Sequence, residues 1–145
     1  MEIGFYHLTR TAADAALPAL LGRTLAAGER ALVRMGTPAR VTALDAALWA
    51  APAPDWLPHG TERTGHPTLQ PIWITVADEN PNGARYLFLL DGTALLPGAW
   101  TRVFDLFDGQ DEAATAAARL RWTGAKAAGH VLTYWQQGTT GWTKR

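Results

Sequence analysis

The chain has 145 residues, enough for one domain with a substantial core. Its 13 Lys and Arg cancel its 13 Asp and Glu, so no global field draws it to nucleic acid and any anion site must be local. With no cysteine, disulfides and thiolate metal sites are excluded. No run approaches a membrane span, and MEIGFYHLT lacks the layout of a secretory leader, so a cytoplasmic location is expected.

Taken in order, Ile3 to Leu8 reads as a first strand. A helix follows, with Asp14 as a candidate cap, an apolar stripe of Leu17, Leu20, Leu21 and Leu25, and Gly28 as its stop. Pro18 is compatible with that helix only in its first turn. Ala31 to Met35 reads as a second strand. Thr37-Pro38 is a strong helix start, a Thr cap followed by Pro at the first helical position. Val41, Leu44 and Leu48 fall on one face of that helix. Strand, helix, strand, helix argues for a parallel α/β sheet.

Residues 49–69 are proline-rich, carry Trp49 and Trp56, and show little periodicity, so they read as a long loop. Trp49, Trp56 and Pro58 suggest an exposed apolar patch, against the alternative that the tryptophans tuck beneath the loop. Pro71 to Val76 and Tyr86 to Leu90 read as strands, parted by the Asn80-Pro81-Asn82-Gly83 turn. Trp100 to Phe107 suggests a short helical turn leading into a strand end. The tail from Gly138 is polar except for Trp142.

The most informative stretch is Asp111 to Gln137. Its first part, to about residue 128, is an alanine-rich helix with Asp111 and Glu112 at the positive end of the dipole and Arg119, Arg121 and Lys126 toward the other. Gly129 is placed to end it, and His130 to Gln136 reads as a strand. Arg119, Trp122 and Lys126 share one helical face. Two cations flanking an indole suit a ligand that joins an anion to an aromatic ring. The competing reading is that Trp122 is core and the cations are solvated. Phe107, just before the helix, is a candidate pocket wall.

Motifs for catalysis are missing. There is no P-loop and no nucleophile elbow, and the first strand-to-helix turn, Thr9-Arg10-Thr11, has no glycine for a dinucleotide phosphate. His7, His59, His66 and His130 are scattered. A hydrolase-like or metal-dependent enzyme using His59 and His66 is one rival reading. Direct binding of single-stranded nucleic acid by the helix face is another.

The chain resembles the chi subunit of bacterial DNA polymerase III, a clamp-loader accessory subunit. The resemblance rests on Phe5-Tyr6, LDAALW (Leu44 to Trp49), the segment from Pro54 to His59, and ARLRWTGAKAAGH (Ala118 to His130). TYWQQ (Thr133 to Gln137) resembles the alphaproteobacterial version. The resemblance implies a single domain over 1–145 with a Rossmann-like three-layer α/β fold, a mostly parallel sheet and no nucleotide-binding glycine loop. It implies no cofactor, no metal and no catalytic residues. It implies two partner surfaces. The acidic, Phe-terminated tail of single-stranded DNA-binding protein would dock on Phe107, Arg119, Trp122 and Lys126. The psi subunit or another clamp-loader partner, or a helicase that competes with psi, would dock on Trp49, Trp56 and Pro58. Thr115 and Thr123 stand where the family often has lysines, which implies a weaker tail site or compensation by Arg121.

Overall fold

The structure is a computed structural model that describes residues 1–51 and 56–145. Pro54, at the start of the proline-aromatic segment, lies outside the described residues. Among the described residues the strands form one eight-stranded sheet in the order β3-β4-β2-β5-β6-β1-β7-β8. These are β1 (Glu2–Leu8), β2 (Ala31–Arg34), β3 (His59–Thr61), β4 (Ile72–Thr75), β5 (Tyr86–Leu89), β6 (Arg102–Asp108), β7 (Val131–Gly138) and β8 (Gly141–Lys144). Every pairing is parallel except β7 with β8.

Helices α1 (Ala13–Ala26) and α2 (Pro38–Trp49) cover one face of the sheet. Leu17, Leu20, Leu21, Leu44 and Leu48 close over Val33, Ile72, Ile74, Phe88 and Leu106 there. Helix α3 (Glu112–Ala127) lies on the other face, against Ile3, Phe5, Val103 and Phe107. The result is the expected three-layer α/β arrangement.

Local signals set most element ends. Thr37 Oγ1 accepts from the Arg40 amide at 3.2 Å, with Pro38 opening α2. Gly129 adopts φ +85° after α3, a conformation costly for any residue with a Cβ.

Four expectations need correction. Asp14 does not cap α1; Ala12 holds that position, and the Asp14 carboxylate takes a bidentate pair from Arg40 instead. Pro18 sits in the second turn of α1, not the first. It costs the helix one bond to the Asp14 carbonyl, which the buried leucines on either side outweigh. Among the described residues of 49–69 there is a strand, β3, which pairs with β4 at the sheet edge, and a 3₁₀ turn at Pro67–Leu69. Trp100 to Phe107 has no helical turn, since Arg102 onward is paired on both sides by β5 and β1. The polar tail folds back as β8, with Trp142 opposite Gln137.

Candidate functional site

Helix α3 begins at Asp111, whose carboxylate accepts from the amides of Ala113 and Ala114. At 100° per residue, Ala114, Ala118, Arg121 and Ala125 fall toward the sheet. Small side chains let the helix lie close, and Ala118 is its one fully buried residue. Arg119 and Lys126 come out on the exposed side, and Trp122 stands at the boundary between the two. The sequence-predicted face therefore exists, with Trp122 half-buried rather than wholly core. Its indole meets Phe5 edge-on at 5.2 Å and Tyr134 at 6.0 Å.

Tyr134 and His7 extend this patch. The Tyr134 hydroxyl and His7 Nδ1 share a hydrogen bond of 2.5 Å. Burial pushes the Tyr134 hydroxyl above its ordinary pKa, and the charges of Arg119 and Arg145 pull it partly back. His7 in turn stacks on Phe107 at 5.0 Å. It also lies directly over Gly109, where any Cβ would collide with the ring. Trp122, Tyr134, His7 and Phe107 thus form one continuous row, but Phe107 is only 6% exposed. It backs the row from the core and does not form an open floor beside Trp122.

Arg121 belongs elsewhere. Its guanidinium makes a bidentate pair with the buried Asp105 of β6, at 2.7 and 3.0 Å. It points to the sheet and cannot substitute for the lysines expected at Thr115 and Thr123, a correction to that expectation. Thr123 is exposed and bonds back to the Arg119 carbonyl, while Thr115 is half-buried.

The second candidate surface follows α2. Trp49 is 61% exposed and Trp56 76%, so neither tucks under the loop. Pro58 is half-buried and Leu57 between them is buried. His59 fastens this segment. Its Nδ1 donates to the Leu57 carbonyl at 2.6 Å, its Nε2 faces Asp45 of α2 at 2.9 Å, and Trp49 packs on its ring at 4.8 Å. A side chain so buried and so fully bonded is a structural clamp. His66 is exposed, in a left-handed conformation at the start of the 3₁₀ turn. Among the described residues no cluster of three His, Asp or Glu could hold a metal.

Topology defines a third location. The chain leaves β1 toward β2 over one face, and leaves β6 toward β7 over the other. The carboxyl ends of β1 and β6 therefore flank a switch-point crevice, the usual ligand position in such sheets. A crevice of about 620 Å³ lies there, bordered by Arg10, Arg40, Phe107, Asp108 and Arg121. Its phosphate cradle is already filled. Gln137 Oε1 accepts from the amides of Thr9, Arg10 and Thr11 at 3.1, 2.9 and 3.1 Å. A glycine-free turn holds an internal carboxamide where a dinucleotide fold would hold a phosphate. Arg40 is likewise engaged, with Asp14 and Asp91.

Sequence reasoning missed His7, Tyr134, Gly109 and Gln137. The alternation of β7 puts Tyr134 toward α3 and Gln137 away from it. What each meets there depends on β1 and its following turn, more than a hundred positions away.

The α/β scaffold thus fills its own cradle with Gln137 and exposes tryptophans and cations on its outer surfaces. A family model described as DNA polymerase III chi subunit, HolC, matches residues 1–133. The chain belongs to that family, and with it to the accessory subunits of DNA polymerase III in DNA replication. Comparison with curated proteins gives no significant match. No helix among the described residues is long and apolar enough to cross a membrane.

Proposed function

We propose that this chain is a non-catalytic adaptor of the DNA polymerase III clamp loader that binds the acidic, Phe-terminated tail of single-stranded DNA-binding protein through α3. The observation that carries the reading is Arg119. It is exposed beside the half-exposed Trp122, and among the described residues it has no acidic partner. The tail carboxylate takes charge-assisted bonds from Arg119, with Lys126 one turn beyond Trp122. The terminal Phe ring packs on Trp122 and Tyr134, with Phe107 behind His7 as the inner wall. Preceding acids lie along the exposed side of α3, screened over a Debye length of ~10 Å at moderate salt.

Trp49, Trp56 and Pro58 form the second contact, to a psi subunit or an equivalent clamp-loader partner. Their support is the exposure of both tryptophans, with His59 packed on the Trp49 ring and bonded to the Leu57 carbonyl. Aromatic anchors on a fixed support lose little entropy on binding.

The test is a titration of the tail peptide, followed by tryptophan fluorescence at low and moderate salt. Saturable binding that requires the terminal Phe and its free carboxylate supports the reading. Equal binding by a peptide without that Phe, or no binding at low salt, overturns it.

A further inference from the structure

A second aromatic and cationic constellation lies on the opposite face of the sheet, beyond the end of α1. It is a half-open cavity of about 240 Å³. Tyr6 and Phe104 form its floor, Trp135 and Trp142 its walls, and Arg23 and Arg102 its rim. The two tryptophans come from the β7–β8 hairpin and lie past the last residue matched by the family model.

The geometry is ordered. Trp135 lies parallel to the Tyr6 ring at 6.0 Å, and Trp142 meets it edge-on at 5.1 Å. The Arg102 guanidinium sits over Phe104, 4.7 Å from the ring centre. Arg23 and Arg102 both border the cavity; burial pushes the Tyr6 hydroxyl above its ordinary pKa, and these two positive charges pull it partly back. Glu2 is the acid nearest Arg102, at 4.0 Å, and among the described residues Arg23 has no ion pair. Lys144 adds a third cation on the same face, 5.9 Å from the Trp135 ring centre.

The volume is below the ~300 Å³ at which drug-sized pockets begin, so it admits one planar ring. Three cations interleaved with indoles suit a repeating anion that carries aromatic rings, whereas an isolated carboxylate needs only one of them. We propose that this cavity docks one nucleotide of an unpaired nucleic-acid strand, its base between Trp135 and Trp142 and its phosphate between Arg23 and Arg102. Stacking makes such a site tolerant of sequence, and its few phosphate contacts make the salt dependence shallow. The neutral charge of the whole chain is no obstacle, because the field that matters is local to the hairpin.

The experiment is a titration of the full chain with a short phosphate-terminated oligothymidylate, read through the indole N–H resonances of Trp135, Trp142 and Trp122. Trp122 lies on the α3 face and is the internal control. The expected result is movement of the Trp135 and Trp142 signals with Trp122 still. Affinity should fall about tenfold in Trp142→Ala. It should also fall in Arg23→Gln, which changes an exposed helix residue and leaves the packing intact. Three results overturn the proposal: no binding at low salt, movement of Trp122 alone, or affinity unchanged in Arg23→Gln. Phenylpropionate serves as the competing ligand class. If it fills the cavity and the oligothymidylate does not, the site is for an aromatic carboxylate and the proposal fails.

Discussion

The two faces of the sheet each carry arginines beside tryptophan, yet they are built differently. On the α3 face, Arg119, Trp122 and Lys126 come from two turns of one helix, and their juxtaposition follows from 3.6 residues per turn. On the other face, Tyr6, Arg23, Arg102, Trp135 and Trp142 come from five separate elements, brought together by parallel pairing of β1 with β6 and β7. A local constellation survives small shifts of the sheet. A non-local one exists only while the register holds, since a slip of one residue turns each strand side chain to the other face.

The largest expected effect tests how α3 is anchored. Burial pushes the Asp105 carboxyl above its ordinary 3.8, and Arg121 pulls it partly back. Arg121→Ala leaves that carboxyl buried and unpaired, which should cost roughly 3–5 kcal/mol in a denaturant melt. The pH dependence has a definite sign. A carboxyl raised in the folded state binds more protons there than in the unfolded chain, so stability falls as pH rises from 3.8 through the folded value. The Arg121→Ala deficit should therefore be smaller in acid than at neutral pH. A deficit equal at both would show that the pair does not anchor the helix.

Next in size, Arg119→Ala should weaken tail-peptide binding about tenfold while the melting temperature stays unchanged, because the side chain is exposed. Unchanged affinity by calorimetry would move the tail off this face. It would leave the Trp135 and Trp142 cavity untouched, so the two faces can be judged separately.

Gln137→Ala removes the acceptor of three amides at the start of α1. About 1–2 kcal/mol of stability should be lost, read by thermal melting. Gln137→Glu should keep most of it, since a carboxylate accepts the same amides at the positive end of the helix. An equal loss in both would mean that the cradle contributes nothing. The smallest effect is a gain. Thr123→Lys places a cation one turn beyond Arg119 and should strengthen tail binding by a few-fold, with a steeper salt dependence. No change in the salt slope would place the tail's acids away from α3.

Most of the fold could be read from the chain because its signals are short-range. The Thr37-Pro38 start, the Asp111 cap and the Gly28 and Gly129 stops act within a few residues. Buried parallel strands such as Ile72–Thr75 appear as continuous apolar runs. Edge elements were harder. His59–Thr61 and Gly141–Lys144 have no strand pattern of their own, and they are strands because a neighbour offers unpaired backbone groups.

The candidate sites divide along the same line. The amino-acid sequence by itself determined the alternation of strands and helices, the α3 face and the absence of a glycine phosphate loop. Each follows from backbone propensity or helical angle within one segment. Tertiary structure alone decided that Arg121 turns inward to Asp105 and that Phe107 sits behind His7. It also decided that Gln137 fills the cradle, that His59 joins Asp45, Trp49 and Leu57, and that two hairpin tryptophans meet Tyr6. These are contacts between positions far apart in the chain, fixed by strand order and register, which no single segment encodes.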